Sequence, residues 1–251
     1  MTRRSYSQMY QSAEAAALYD NEICDAEGRD APLWSAERAC LLRLIRRFFP
    51  DHRSAHALDF ACGTGRIAAL LRPLVGSLTC VDISQAMLDR AHQRVGEAEI
   101  ICADIVASPQ SVPGNKDIIT SFRFLLLAEP ELRAACIREL GTKLRSERSI
   151  MILNTHGNPW SFRGLAMLRD RILRRERRFP SFSLGDMRKL AKACGLRVAG
   201  ATGLGFVPGV LAKRLPPRVL GVVERALAGL PLLWRLGAIQ LVVLRRDDFP
   251  A

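Results

Sequence analysis

The stretch from residue 57 to residue 68, ALDFACGTGRIA, constrains the fold of this chain more than any other. In it an apolar run reaches Asp59, passes Gly63 and Gly65, and continues as a helical pattern from Arg66. Glycine adopts the left-handed backbone of a tight turn and leaves room for a ligand against the main chain. The stretch therefore predicts a strand, a turn and a helix, with a ligand at the turn.

Strand patterns alternate with helix patterns after residue 55. The predicted strands are 55–61, 78–83, 99–103, 118–126 and 150–154, and the predicted helices are 66–71, 84–95 and 130–144. Strands that are joined by helices of this length form a parallel, doubly wound α/β sheet. Ligands of such sheets lie beyond the carboxyl ends of the strands, so we expect the site at the end of the first strand.

The segment before residue 55 lacks this alternation of strands and helices. Residues 1–54 predict helices, which form an N-terminal helical cap that is either an extra layer on the core or a lid over the site. We expect the α/β domain to cover residues 55–251, with helical insertions at 158–180 and 206–237.

The two insertions have opposite character. The first predicts an arginine-rich helix over 160–178, which binds an anionic surface or a phosphate-bearing substrate, or simply faces solvent. The second is apolar and either roofs an apolar substrate pocket, forms a homodimer interface or contacts a membrane surface.

Composition limits the class of protein. Of the 251 residues 49% are hydrophobic, which is enough for a real core, and the net charge of +12 is typical of proteins that bind polyanions. The positive charge is spread along the chain, however. The seven cysteines are widely spaced without a C-x-x-C pair, which indicates reduced thiols and no zinc site. With no signal peptide and no apolar run long enough to span a bilayer, the expected location is the cytoplasm.

The glycine turn by itself fits two kinds of cofactor. Residues 63–68, GTGRIA, satisfy the G-x-G-x-x-A form of the dinucleotide fingerprint, and Asp82 lies near the position of its ribose-binding acid. Asp59, Asp82 and Asp104, however, place carboxylates at the ends of three predicted strands. Such a row suits a cationic, hydroxyl-rich ligand that carries adenine better than it suits a pyrophosphate, although each aspartate alone is explained as a solvated strand end.

These residues resemble the motifs of the class I S-adenosylmethionine-dependent methyltransferases. The resemblance lies in 59–65 (DFACGTG), 81–84 (VDIS) and 102–105 (CADI), within a match over about residues 55–157. It implies a Rossmann-like, doubly wound, seven-stranded mixed sheet, in which strands at 196–201 and 239–244 pair antiparallel.

The resemblance also implies S-adenosylmethionine as the cofactor and S-adenosylhomocysteine as its product. Asp59 would then hold the methionine part, Asp82 the ribose hydroxyls and Asp104 the adenine amino group. Ile83 would pack on the adenine, and Phe122 would line the methionine end. The cofactor-binding residues implied in this way are Asp59, Ala61, Gly63, Gly65, Asp82, Ile83, Met87, Asp104, Ile105 and Phe122.

The acceptor side is less constrained. Residues 121–124, SFRF, lack the motif of family members that methylate nucleobase amines, and they lack an acidic metal ligand, so we expect no metal. Three residues are candidate catalytic groups. His156 is predicted at the mouth of the site as a base, because the pKa of an unperturbed imidazole is about 6.5. Arg123 is a candidate for substrate contact, and Tyr19 for covering the cofactor; structural roles are the alternative for all three.

The resulting hypothesis is a methyltransferase that acts on a small-molecule or lipid- or glycan-linked acceptor, with oxygen favoured over nitrogen. The two insertions of this chain are placed as in family members from natural-product or cell-surface-glycan pathways, which is a further resemblance. The alternatives are an RNA methyltransferase and an NAD(P)-binding oxidoreductase. We expect a small-molecule partner rather than nucleic acid, with a homodimer through 206–237 and peripheral membrane contact as further options.

Overall fold

The computed structural model describes residues 12–19, 31–173, 182–212, 214–230 and 233–247. The strands are β1 His56–Phe60, β2 Ser77–Asp82, β3 Glu99–Cys102, β4 Ile118–Ser121, β5 Ile150–His156, β6 Leu196–Leu204 and β7 Ile239–Arg246. The helices are α1 Ala13–Tyr19, α2 Ala31–Phe48, α3 Arg66–Leu71, α4 Gln85–Val95, α5 Phe124–Leu127, α6 Pro130–Lys143, α7 Phe162–Ile172, α8 Leu184–Ala193, α9 Gly209–Ala212 and α10 Pro217–Gly229.

The strands form one seven-stranded sheet in the order β3-β2-β1-β4-β5-β7-β6. The pairs among β1 to β5 are parallel, whereas β7 runs antiparallel between β5 and β6. This topology confirms the predicted fold class. It also differs from the 3-2-1-4-5-6 order of the dinucleotide-binding fold, because β7 is inserted before β6.

The register brings the functional strand ends to one edge of the sheet. Asp59 of β1 lies opposite Thr120 of β4, and Asp82 of β2 lies opposite Cys102 of β3. In the other half of the sheet, beyond β4, the last residue of β5 is His156, which lies opposite Ile239 of β7.

Helices cover both faces of the sheet. On one face the apolar side of α2, with Leu41 and Ile45, is buried against the sheet residues Leu241 and Val243. On the other face α6 and α8 pack against the sheet, with Ile137 as a fully buried member. Helix α2 is therefore a layer of the core, while residues 1–11 and 20–30 of the predicted cap lie outside the described residues.

The largest difference from the expected elements lies after β4. The prediction extended this strand to residue 126, but it ends at Ser121, and Arg123 adopts a left-handed backbone (φ 65°) before α5 begins. A short apolar run such as FLLL has no periodicity that separates a strand from a buried helical turn. Phe124 and Leu125 are buried all the same, so the core gains the expected apolar volume from a helix.

The insertions are helical where they are described. The first contains α7, and the remainder of its predicted helix, from residue 174, lies outside the described residues. The second contains α9, α10 and a short 3-10 turn, Leu233–Leu236. Within the described ranges no helix combines the length and the apolar character that crossing a bilayer requires.

Candidate active site

The turn after β1 is built from left-handed residues. Ala61, Gly63 and Gly65 have φ angles of 51°, 55° and 81°. A Cβ atom at Gly65 would lie 2.9 Å from Cγ2 of Val95, so this glycine also permits close packing of α3 on α4. Ala61 carries a side chain in a region that residues other than glycine seldom adopt, and such strain is concentrated at binding sites.

Asp59 is a buried carboxylate at the end of β1. The hydroxyl of Thr120 donates to its Oδ1 over 2.6 Å, while its Oδ2 is buried without a hydrogen-bond partner. Burial raises the pKa of Asp59 to about 7, against the opposing effect of the Thr120 hydrogen bond. An ammonium group is the kind of ligand that would satisfy this oxygen and restore the charged form.

Asp82 holds the turn from the neighbouring strand. The N–H of Gly63 donates to its Oδ2 over 2.9 Å and the N–H of Ser84 donates to its Oδ1 over 3.0 Å. Burial raises the pKa of Asp82, and these backbone hydrogen bonds oppose the rise. Since each carboxylate oxygen accepts more than one hydrogen bond, ribose hydroxyls can still donate to it.

Asp104 is exposed after β3. Its Oδ1 accepts hydrogen bonds from the N–H groups of Val106 and Ala107, at 2.8 and 3.2 Å, which fixes the following turn. The N–H of Ala103 donates to the carbonyl of Asp82 over 3.0 Å, so the two strand ends are joined. The three predicted aspartates therefore follow one another along adjacent strands.

The predicted apolar residues of the cofactor site separate into two groups. Ile83 is half-buried beside Asp82, whereas Met87 and Ile105 are almost fully buried in the core. Phe122 lies with Asp59 and Ala61 around one small cavity. Its other lining residues are Cys62, Thr64, Arg66, Ile67 and Arg123.

A chain of polar groups reaches this cavity from α2. The guanidinium of Arg66 pairs with Glu37 over 3.0 Å and stacks on the ring of Trp34 at 4.2 Å. The amide of Asn154, on β5, donates to Glu37 over 3.4 Å. Glu37 is buried, so α2 supplies a paired carboxylate to the edge of the site.

Asn154 also fixes the orientation of two predicted catalytic residues. The N–H of Arg123 donates to Oδ1 of Asn154 over 2.7 Å. Because a backbone N–H can only donate, the amide nitrogen of Asn154 must face away from it, towards Nε2 of His156 at 3.3 Å. In this contact Nε2 of His156 is therefore the acceptor.

The three candidate catalytic residues differ in their exposure and in their position relative to the cavity. His156 is 8% exposed at the end of β5, and the guanidinium-bearing Arg123 is half-buried on the cavity. Tyr19 is the last residue of α1, and its side chain lies outside the described part of the chain. Among the described residues no group of three or more His, Cys, Asp or Glu side chains is arranged to hold a metal ion.

The residues of the site that were not predicted include the polar residues Glu37, Arg66, Thr120 and Asn154. Arg66 directly follows the second glycine and Thr120 precedes the end of β4, so their sequence positions offered a signal. Glu37 offered none, because it meets Asn154 only through the packing of α2.

The chain is similar to known proteins over the part that contains the glycine turn. Residues 57–147 match the family described as "Methyltransferase domain". Over 94 residues the chain is 36% identical to dTDP-4-amino-2,3,4,6-tetradeoxy-D-glucose N,N-dimethyltransferase of Saccharopolyspora spinosa, which covers 38% of this chain and 35% of that protein. Over 111 residues it is 32% identical to malonyl-[acyl-carrier protein] O-methyltransferase of Anoxybacillus flavithermus (strain DSM 21510 / WK1), covering 43% of this chain and 41% of that one. The matches thus span less than half the length of these relatives.

The fold is also found in solved structures. The complex of DhpI with S-adenosylhomocysteine superposes with a TM-score of 0.61 over 97% of both chains, at 13% sequence identity. Similarity at this identity concerns the fold, while the motifs at the strand ends and the match over residues 57–147 concern the family. The predicted resemblance is confirmed: residues 57–147 match the methyltransferase domain, and the fold is that of S-adenosylmethionine-dependent methyltransferases.

Proposed function

We propose that this protein transfers the methyl group of S-adenosylmethionine to a small-molecule acceptor. The observation that carries the proposal is Oδ2 of Asp59, a buried carboxylate oxygen without a partner beside the glycine turn. A buried unsatisfied polar atom costs free energy, and a cationic ligand removes that cost. The methionine ammonium of the cofactor is such a ligand.

The remaining cofactor groups follow the strand ends. In this proposal the ribose hydroxyls bind Asp82, the adenine amino group binds Asp104 and Ile83 packs on the adenine ring. Phe122 lines the methionine end, and the backbone of Ala61 and Gly63 approaches the ligand closely. Met87 and Ile105 support this site from the core rather than from its surface, since both are almost fully buried.

Methyl transfer mainly requires that the protein position the acceptor. The sulfonium supplies an electrophilic methyl group, so the protein must align the acceptor in line with it and exclude water. A base is needed only where the acceptor carries a proton that has to leave. For a hydroxyl acceptor we assign the role of base to the imidazole of His156, and we assign acceptor contact to Arg123.

Oxygen remains the favoured acceptor atom. One named relative is an O-methyltransferase that acts on a malonyl acyl-carrier protein, and the other is an N,N-dimethyltransferase that acts on a nucleotide-linked amino sugar. The two reactions differ in acceptor atom although the matched segments are of similar length. We assign the choice of acceptor to the chain that follows β5, where the two insertions lie.

Isothermal titration tests the cofactor. We expect S-adenosylhomocysteine to bind with one site per chain and NADH to give no heat of binding. Asp59→Asn serves as the site variant, with exposed Asp51→Asn as its control. Tight NADH binding without a response to S-adenosylhomocysteine would overturn the proposal in favour of an oxidoreductase.

The net charge of +12 favours RNA as a second class of acceptor. A gel-shift titration with bulk tRNA at increasing salt separates the two. Small-molecule specificity predicts only weak binding, lost at physiological salt, and no transfer of labelled methyl groups to the RNA.

A further inference from the structure

The two insertions meet at the carboxyl edge of the sheet. The side-chain amide of Asn158, two residues after β5, donates to the carbonyls of Arg235 and Gly237 in the second insertion. The backbone carbonyl of Asn158 accepts a hydrogen bond from the hydroxyl of Ser161. The oxygen of that hydroxyl accepts a hydrogen bond from the N–H of Gly164 in α7. The start of α7 is thus tied to the segment that precedes β7.

A buried carboxylate fixes the loop after β6. Glu224 of α10 is 0% exposed, and its two oxygens accept the N–H groups of Gly205, Phe206 and Val207 at 2.8, 3.1 and 2.9 Å. Three backbone donors on one carboxylate hold the loop, and with it the ring of Phe206, in one place.

Between these two fixed walls lies an apolar cavity of about 270 Å³. The first insertion lines it with Trp160, Phe162 and Leu165, and the second lines it with Phe206, Leu227, Leu233 and Leu236. None of these seven side chains carries a charge. A charged ligand would lose its hydration here without gaining a partner, whereas an apolar one would gain by leaving water.

The cavity stands at the acceptor end of the sheet. His156 of β5 and Leu204 of β6 both lie opposite Ile239, so both strands end at the same edge. Trp160 follows β5 by four residues and Phe206 follows β6 by two. The cofactor strands β1 to β3 end at this same edge, on the other side of β4.

We propose that this cavity binds the uncharged, apolar body of the methyl acceptor. The inference rests on the proposed methyltransferase function and names the substrate class of that site. The occupant is a small molecule because the volume is small, and because buried polar groups fix the backbone on both sides of the cavity before anything binds. The apolar body lies among the seven side chains, and its polar acceptor atom points along β5 towards His156 and Arg123.

The test uses N-phenyl-1-naphthylamine, an uncharged probe that fluoresces in apolar sites, with 1-decanol as competitor. Leu165→Asn is the site variant, and Leu168→Asn is its matched control. Both leucines are exposed on α7, at 57% and 53%, but only Leu165 lines the cavity. We expect saturable binding with one site per chain, displacement by 1-decanol, about tenfold weaker binding in Leu165→Asn and no change in Leu168→Asn.

Titration with S-adenosylhomocysteine runs beside the probe in all three proteins, and its affinity is expected to be unchanged. Absence of saturable probe binding, with the cofactor response intact, would overturn the cavity assignment alone. Equal weakening in both variants would also overturn it, since a flat surface for lipid or for a second copy would then explain the binding. Probe binding without any cofactor response would remove the acceptor role together with the proposed function.

Discussion

The hydroxyl of Thr120 donates to Oδ1 of Asp59 over 2.6 Å, from the position directly opposite on the neighbouring strand. This hydrogen bond satisfies only one of the two carboxylate oxygens, and Oδ2 stays buried without a partner. Burial raises the pKa of Asp59 to about 7, so that the folded protein without ligand holds comparable amounts of the acid and the carboxylate at neutral pH. The arrangement costs stability at neutral pH and is suited to a cationic ligand.

Asp59→Asn should stabilise the protein at pH 7.5 but not at pH 4. The folded pKa of about 7 lies above the unfolded value, so the contribution of Asp59 is complete below pH 4 and is lost as the pH rises through 7. Asparagine resembles the protonated acid and does not titrate, so its contribution to the free energy of unfolding is the same at both pH values. Urea unfolding should show a gain of about 4 kcal/mol at pH 7.5, since each pKa unit corresponds to about 1.4 kcal/mol, and a difference near zero at pH 4.

The exposed Asp51→Asn variant controls for the general effect of removing a charge. A gain that is the same at both pH values would show that burial of the Asp59 charge is not its cause.

Binding of S-adenosylhomocysteine should release protons near neutral pH. An ammonium beside Asp59 requires the charged carboxylate, whose pKa in the free protein is about 7. Affinity should therefore rise from pH 5.5 to pH 7.5 and level off above it, with release of roughly half a proton at pH 7. Titrations in phosphate and in Tris measure this release through the different ionisation heats of the buffers. Buffer dependence that persists unchanged in Asp59→Asn would contradict the assignment.

The three aspartates of the site could be predicted from the sequence, whereas the contact between Glu37 and Asn154 could not. Asp59, Asp82 and Asp104 each end an apolar run, and the parallel topology then places them along one edge. Glu37 and Asn154 meet across the packing of α2 on the sheet, and no local pattern marks such a contact. The same limit explains the residues after β4, where a left-handed Arg123 is held by Asn154 from the adjacent strand.

The shared cavity of the two insertions could not be predicted from the sequence either. Their apolar and basic character could be predicted separately, because each is a property of contiguous residues. That the two segments share one cavity depends on Asn158 and on Glu224, whose partners are backbone groups. Backbone donors and acceptors are the same for every residue type, so such contacts leave little trace in the sequence.

Asp82→Ala should weaken binding of S-adenosylhomocysteine about tenfold to hundredfold. The variant removes the proposed acceptor of the ribose hydroxyls and also the acceptor of the Gly63 N–H, and charged hydrogen bonds contribute about 1.5–3 kcal/mol each. Isothermal titration gives the affinity, and thermal unfolding establishes that the variant folds. The exposed Asp89→Ala, on α4, is the control and should bind normally. Unchanged affinity in Asp82→Ala would remove this residue from the cofactor site.

His156→Ala should lower turnover by about hundredfold and leave cofactor affinity within twofold. A general base contributes to the chemical step, whereas its removal does not alter groups that hold the cofactor. The rate is measured as transfer of labelled methyl groups to an acceptor found by screening apolar hydroxyl compounds. His92→Ala, at an exposed position on α4, is the control. Parallel losses of turnover and of affinity in His156→Ala would indicate a structural role through Asn154.

Glu224→Gln should destabilise the protein by about 2 kcal/mol, and Glu224→Ala by about 3–4 kcal/mol. The glutamine keeps one oxygen for the backbone donors, but its amide nitrogen then faces an N–H group. The alanine removes the acceptor of all three donors of residues 205–207, of which that of Phe206 is buried. Urea unfolding measures both variants. Glu97→Gln, whose side chain is 94% exposed in an ion pair with Arg72, should change stability by less than about 0.5 kcal/mol. If Glu224→Gln were as stable as the parent, these hydrogen bonds would not be what fixes the Phe206 loop, and the wall of the cavity would depend on apolar packing alone.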